Sequence, residues 1–204
     1  MEVYKLTDLG GWTRRWRTNE HNWIEQPLLE TSGEGELCTS GWVHAYIDPH
    51  VAVLHNLIHS YFGDGMRLWH CNAFGAIKYD GQTKLGTSKL LVMGEMPLPM
   101  PKVTMDHRIA YALLVGAQVW GHRIFGRFYS AWLNGYEPHN IFLPVNFMAE
   151  DAGFYRSDLL MAVKECHPVK MTCLATSCKA DLISAAKEAL TIQRLPVHQK
   201  HTRL

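Results

Sequence analysis

The residues best suited to chemistry are histidines in and beside the first helical pattern of the chain. His55 and His59 are four residues apart, which places both imidazoles on one face of a helix. His44, on the strand pattern before that helix, could supply a third ligand, and zinc needs three or four ligands at about 2.0–2.1 Å. The segment lacks the glutamate of an HExxH protease. Two interpretations stay open: a zinc site, or packing of the helix onto a sheet, which we favour.

A basic segment with interleaved aromatic residues follows the first strand pattern. Arg14, Arg15 and Arg17 surround Trp16, and Trp23 lies shortly after them. Arginine and tryptophan are enriched in the hot spots of protein interfaces. The net charge of +1 argues against non-specific nucleic-acid binding, which requires a basic face. We predict a partner-binding surface from these five residues, and the alternative is a hairpin with arginines facing solvent and tryptophans facing inwards.

Cysteine usage and hydropathy indicate the cellular compartment in which the protein is expected. The five cysteines are an odd number spread through the chain, and the first residues contain no apolar signal core, which favours free thiols in a reducing cytoplasm. The longest strongly apolar stretch, Ile109–Trp120, is shorter than the roughly 20 residues of a membrane span. We therefore expect a protein with no membrane segment.

Alternating apolar and polar residues predict strands in the first hundred residues. The predicted strands are Val3–Thr7, Trp42–Ile47, Arg67–Phe74 and Ser88–Met93. Asp48 and Pro49 form a typical helix start, because aspartate caps free backbone N–H groups and proline is preset for the first turn. Apolar residues at spacings of three and four then predict a helix that packs against the strands.

The second half of the chain has helical patterns. Thr104 can cap a long helical segment that reaches Asn134, and residues 157–166 and 177–191 predict two shorter helices. The fold class expected is α+β: a small N-terminal part with mixed or antiparallel strands and one packed helix, then a helical C-terminal half. We place these parts at residues 1–103 and 104–204 and expect them to pack as one compact unit.

Several motifs occur together in a characteristic order. They are VYKLTD, GELC before GWVHAYIDP, AVLHNLIH, RLW, KLG, EMPLP, TMDHRIA and a final AWLNG. In this order they resemble an uncharacterised family common in bacteriophages and bacterial genomes, although the alanine-rich C-terminal tract of that family is missing here. The resemblance covers about residues 1–135 and implies a phage or prophage setting without implying a mechanism.

A second resemblance concerns the predicted sheet. A strand with Tyr-Lys, the GWVHAY strand, an Asp-Pro-capped helix and a late strand reaching Glu95 resemble the split sheet of ADP-ribosyltransferase-type proteins. The resemblance implies catalytic candidates at Lys5, His44, Tyr46 and Glu95, with an NAD-like nucleotide as ligand. Lys5 stands where those enzymes have arginine or histidine, so the pattern is incomplete. Likeness of fold alone does not establish a function.

These observations leave three hypotheses for function. The first is a phage- or prophage-encoded accessory protein in the cytoplasm of the bacterial host, which binds and inhibits or sequesters a host component. The second is an ADP-ribosyltransferase-like protein or enzyme that binds NAD or a signalling nucleotide, and the third is a virion structural component. Whether the chain is an enzyme, and its oligomeric state, stay open. No cofactor is predicted, with zinc and an NAD-like nucleotide as the alternatives.

Overall fold

The computed structural model describes residues 1–15, 18–37, 39–59, 62, 65–141 and 154–196. The fold class is α+β, as predicted, with strands concentrated in the N-terminal part and helices following them. The chain forms two compact units, residues 1–102 and residues 103–204. None of the helices in the described ranges combines the length and the apolar character that crossing a bilayer requires.

The first unit contains seven strands and one helix in its described residues. They are β1 (Glu2–Asp8), β2 (Trp12–Arg15), β3 (Thr18–Asn22), β4 (Leu28–Glu30), β5 (Val43–Tyr46), α1 (Pro49–His59), β6 (Met66–Asp80) and β7 (Lys84–Met96). Strands β6 and β7 are longer than predicted, because they continue as a hairpin up to the turn after Asp80.

Antiparallel pairing joins four of these strands into a closed circuit. β1 pairs with β6, β6 with β7, β7 with β5, and β5 with β1. β4 adds to β7, and β2 pairs with β3 as a separate two-stranded ribbon. Because side chains alternate along a strand, every strand of the circuit has one core face and one opposite face. The circuit therefore assigns each side chain to one of two environments.

The core face is apolar and well buried. Its cluster consists of Val3, Trp23, Val43, Ala45, Trp69, Cys71, Ala73, Leu85 and Leu90. Polar groups on this face have partners, as buried polar groups must. The indole N–H of Trp69 donates to Thr7 Oγ1 at 2.8 Å, and Thr87 Oγ1 donates to the carbonyl of Phe74 at 2.6 Å.

Helix α1 packs on the opposite face, against β1 and β5. Its predicted start is confirmed, because Asp48 Oδ1 accepts the backbone N–H groups of His50 at 2.8 Å and Val51 at 3.3 Å. The buried side of the helix carries Leu54 and His55. A short capped helix thus covers part of the face of the sheet that the core cluster does not use.

The second unit is helical in its described part. It contains α2 (Met105–Trp120), a π-helical turn (His122–Gly126), α3 (Arg127–Leu133), a 3-10 turn (Pro138–Asn140), α4 (Phe154–Lys164), α5 (Pro168–Thr176) and α6 (Leu182–Leu190). Thr104 caps α2 as predicted, in a reciprocal capping box with His107. Helix α5 was not predicted, since Pro168 and the short apolar pattern after it resemble a loop.

Gly116 allows α2 to approach the π-helical turn closely. A Cβ atom at this position would lie 2.2 Å from Phe125 Cδ1, and Phe125 is fully buried. Gly116→Ala should therefore lower the free energy of unfolding by about 1–3 kcal/mol, the usual cost of overpacking. Thermal unfolding followed by circular dichroism at 222 nm measures the effect. Helix propensity alone predicts the opposite sign, about 1 kcal/mol of stabilisation, so a raised Tm would contradict the packing argument.

Buried phenols and thiols make the fold sensitive to alkaline pH. Burial raises the pKa of Tyr46 and Tyr111, and raises the pKa of the Cys71 thiol to about 12. In the unfolded chain these groups ionise at about pH 9–10, so above that pH the unfolded state loses protons that the folded state keeps. The stabilisation is complete below about pH 9 and is lost as the pH rises.

Urea unfolding between about pH 8.5 and about pH 11 should therefore show a falling free energy of unfolding. Each group that ionises only in the unfolded chain contributes about 1.4 kcal/mol per pH unit once the pH exceeds its unfolded pKa. Tyr46→Phe should make the decline shallower, and Tyr79→Phe, at an exposed position, is the matched control. An unchanged slope in Tyr46→Phe would show that burial of this phenol does not set the pH dependence.

Candidate functional site

Lys5 is a buried lysine on the core face of β1. Its ammonium group donates to the backbone carbonyl of His44 at 2.7 Å and lies 5.7 Å from the centre of the Trp23 ring. A buried charge is tolerated where it has hydrogen-bond acceptors and an aromatic face nearby. The contacts of Lys5 thus hold β1, β5 and the segment after β3 together.

Two other predicted catalytic residues lie on the opposite face of the sheet. Tyr4 pairs directly with Tyr46, so Tyr46 and His44 face away from the side that carries Lys5. Tyr46 is buried, and its ring contacts His55 edge-on at 6.1 Å between centroids. Lys5 and Tyr46 therefore do not face a common site.

Glu95 is held in an ion pair near the end of β7. Its carboxylate accepts from Arg67 Nε at 3.0 Å and Nη2 at 2.9 Å, and that guanidinium lies 5.2 Å from the centre of the Trp69 ring. A bidentate pair of this kind fixes the carboxylate and partly neutralises it. The structure thus divides the four residues of the nucleotide hypothesis between two faces of the sheet instead of bringing them together.

The histidines predicted as zinc ligands occupy different settings. His55 is buried on the sheet-facing side of α1, and His44 is half-buried on β5. His59 is the last residue of α1, and its side chain lies outside the described residues. Within the described residues no group of three His, Cys, Asp or Glu side chains is arranged to hold a metal ion. The contact of His55 with Tyr46 is that of a residue packing the helix on the sheet.

The basic segment forms part of the β2–β3 hairpin. Arg14 and Arg15 end β2, whereas Trp16 and Arg17 lie outside the described residues. Trp23 is only 1% exposed, so its predicted place on a binding surface needs correction. The arrangement agrees, at this position, with the alternative of a hairpin with tryptophan facing inwards. The indole is driven inwards because it completes the core cluster of the sheet.

The contacts of Trp23 explain why it is buried. Its indole N–H donates to the hydroxyl of Thr13, and its ring meets the His21 ring edge-on at 4.4 Å. Its backbone N–H donates to the carbonyl of Gly11 at 2.9 Å, which joins the two ends of the hairpin. Trp23 is therefore an anchor that fixes the base of the hairpin to the core.

A cluster that sequence reasoning missed surrounds a surface cavity of about 310 Å³ on the face opposite Lys5. The cavity is lined by Glu2, Tyr4, His70, Met93, Gly94, Glu95 and Met96. The row Tyr4, His70 and Gly94 crosses β1, β6 and β7 in register. The signal in the sequence was the repeated alternation of polar residues on β1 and β6, but their proximity depends on a pairing between distant segments.

Hydrogen bonding within this cluster centres on one carboxylate. The Tyr4 hydroxyl donates to Glu2 Oε1 at 2.7 Å, and this bond, followed by burial, raises the pKa of Tyr4 to about 12. His70 Nε2 lies 3.4 Å from the same oxygen, close enough for an ion pair when the imidazole is protonated. That nitrogen is shielded from solvent and makes no hydrogen bond within the described part of the chain.

Because Trp23 anchors the hairpin, alanine substitution should destabilise the protein far more at Trp23 than at its neighbour Ile24. Trp23→Ala should lower the free energy of unfolding by about 3–5 kcal/mol, because it removes a fully buried indole and leaves a cavity. Ile24→Ala is the matched control, since Ile24 is half exposed and should change stability by less than about 0.5 kcal/mol. Urea unfolding monitored by circular dichroism measures the stability of both variants. Equal losses of stability would contradict the anchoring role of Trp23.

No protein-family model matches this chain, and neither the curated proteins nor the solved structures yield a significant match to it. The resemblance to the phage and bacterial family and the likeness to ADP-ribosyltransferases both stay predictions from the residues. Two surfaces of the first unit, the hairpin and the cavity, are therefore the candidates for function.

Proposed function

We propose that this protein acts by binding a host component through its β2–β3 hairpin and thereby inhibits or sequesters it. The proposed surface combines two exposed aliphatic residues at the base of the hairpin, Leu9 and Ile24, with the basic segment of the sequence, Arg14, Arg15, Trp16 and Arg17. The setting proposed is the cytoplasm of a phage-infected or lysogenic bacterium, which the motif order resembling the phage and bacterial family supports.

The observation that carries this proposal is the exposure of apolar side chains beside a hairpin whose base is anchored to the core. Leu9 is 67% exposed and Ile24 is 50% exposed, and they flank the hairpin on either side in sequence. Single exposed apolar residues are common, but these two flank a sequence segment of three arginines and a tryptophan, and arginine and tryptophan are enriched in interface hot spots. The surface therefore supports binding to a partner with an apolar hollow and acidic groups.

The base of the hairpin is already ordered by internal hydrogen bonds. Asp8 Oδ1 accepts the backbone N–H of Trp12 at 2.9 Å, and Asn22 Oδ1 accepts that of Ile24 at 2.9 Å. The Asn22 amide also donates to the carbonyl of Gly10 at 3.2 Å. Ordering before binding reduces the entropy lost on association, so this geometry favours recognition by a preformed surface.

Quantitative co-purification from bacterial lysate tests the proposal. The wild-type chain should retain one host protein at a stoichiometric level and inhibit the activity of that protein. The double variant Leu9→Ser with Ile24→Ser should weaken binding by at least about thirtyfold, which corresponds to hot-spot losses of about 2 kcal/mol. Arg15→Ala should also weaken binding, and the wild-type affinity should fall with salt because arginine charges contribute to it.

Leu195→Ser is the matched control, because Leu195 is equally a leucine and 56% exposed but belongs to the second unit. This variant should keep wild-type affinity. The proposal fails if the partner binds the double variant as tightly as the wild-type chain, or if Leu195→Ser and the double variant weaken binding equally. Urea unfolding of each variant confirms that the fold is kept.

A further inference from the structure

Two helices of the second unit begin at a histidine ring that accepts a backbone hydrogen bond. In the capping box of α2, His107 Nδ1 accepts the backbone N–H of Thr104 at 3.1 Å, and Thr104 Oγ1 accepts that of His107 at 3.4 Å. Glutamate or glutamine is usual at the position of His107. At the start of α5, His167 Nδ1 accepts the backbone N–H of Lys170 at 3.3 Å. Imidazole nitrogens therefore hold both helix starts.

Both hydrogen bonds require the neutral imidazole. A ring nitrogen accepts a hydrogen bond only while it carries no proton, and in the protonated ring both nitrogens are donors. Protonation therefore breaks each bond. It also places a positive charge at a helix N-terminus, where the helix dipole disfavours a cation.

Contacts of two histidines in the first unit respond differently to protonation. His21 Nε2 lies 2.8 Å from the carbonyl oxygen of Gln26, and His50 Nδ1 lies 3.2 Å from Asp48 Oδ1. A protonated ring keeps both contacts, because each partner is a hydrogen-bond acceptor. Among these four histidines, only the two that cap helices lose their bonds when they are protonated.

The charges around His107 do not compensate a proton on its ring. Burial lowers the pKa of His107, Asp106 acts in the opposite direction, and the buried Arg108 lowers it further. Asp106 is already engaged by another part of the chain, since Arg194 Nη1 lies 3.6 Å from its Oδ1. Arg194 also pairs with Glu137, at 3.2 Å. A proton on His107 therefore adds a positive charge beside a buried one.

Paired charges also lie near His167. Burial raises the pKa of the adjacent Cys166 thiol, and three charged groups from other elements act on that thiol as well: Glu137, Arg194 and Asp106. Along the chain, the neighbours of His167 include Glu165 and Lys170, both exposed. The charges that other elements bring near both capping histidines are thus already paired with one another.

We propose that the second unit contains an acid-sensitive conformational device, in which protonation of His107 and His167 releases the starts of α2 and α5 and loosens the unit. Stabilisation by the His107 cap is complete above about pH 6.5, the ordinary pKa of an imidazole. It is lost as the pH falls through the lower pKa of the folded state. Because α2 contacts α3, α4, α5 and α6, loosening at its first turn affects the helix on which the others pack.

NMR titration of the full chain between about pH 8 and about pH 5, the range in which imidazoles titrate, tests the proposal at the bonds themselves. The backbone amide protons of Thr104 and Lys170 should move upfield as the two rings are protonated. The amide of Ser184 is the internal control, because its acceptor is the carboxylate of Asp181 at 3.0 Å, and carboxylates protonate at a much lower pH. If the Thr104 and Lys170 amides do not move with the rings, the proposal is overturned.

A double variant, His107→Gln with His167→Asn, tests the consequence for stability. It keeps a hydrogen-bond acceptor at both caps and removes the titrating rings. Thermal unfolding followed at 222 nm reports mainly the second unit, which contains every described helix except α1. Between about pH 7.5 and about pH 5.5 the Tm of the wild-type chain should fall by at least about 4 °C more than that of the double variant, the shift expected for losing one cap in a unit of about 100 residues.

His139→Gln is the matched control for this comparison. It removes an exposed histidine of the second unit whose ring caps no helix, so it should retain the wild-type fall in Tm. Equal falls in the wild-type chain and the double variant would overturn the proposal. So would a fall that His139→Gln removes as completely as the double variant does.

Discussion

The antiparallel register between β1 and β6 is the constraint on which the first unit depends. It runs without interruption from the pair Glu2 and Asn72 to the pair Asp8 and Met66. This register places Lys5 beside Trp69 on the core face and Tyr4 beside His70 on the opposite face. A slip of one residue would exchange the faces, exposing the indole and burying the imidazole. The bond from Trp69 to Thr7 and the apolar core together hold the register in place.

Local signals in the sequence were sufficient for β1, β5, β6 and β7 as strands and for two helix starts, but not for helix α5. Asp48 and Thr104 act as predicted because capping depends on residues within one turn. The lengths of β6 and β7 were not predictable in the same way. Beyond Phe74 the strand is largely exposed and its register shifts, so the alternation that signals a half-buried strand disappears although the hairpin continues to Asp80. The closed circuit itself depends on pairings between distant segments.

The candidate sites were predicted less well than the fold, for the same physical reason. The resemblance to ADP-ribosyltransferase-type proteins pointed to Lys5 and Tyr46, but only pairing shows that neighbouring strands direct them to opposite faces. Trp23 was assigned to a surface because arginines precede it, whereas the need to complete a core of small residues such as Ala45 and Ala73 draws it inwards. No motif marked His70, because its place beside the cavity depends on the pairing of β6 with β1 and β7.

Burial of Lys5 connects the two surfaces of the first unit. An ammonium group removed from water is stable only with compensating contacts, and the carbonyl of His44 and the ring of Trp23 provide them. Trp23 is thereby fixed over β1, and with it the base of the hairpin that carries the arginines. The same strand presents Tyr4 and Glu2 to the cavity on its other face. One strand therefore positions both surfaces. Because successive side chains of β1 point to opposite faces of the sheet, the residues of the two surfaces do not contact each other through this strand.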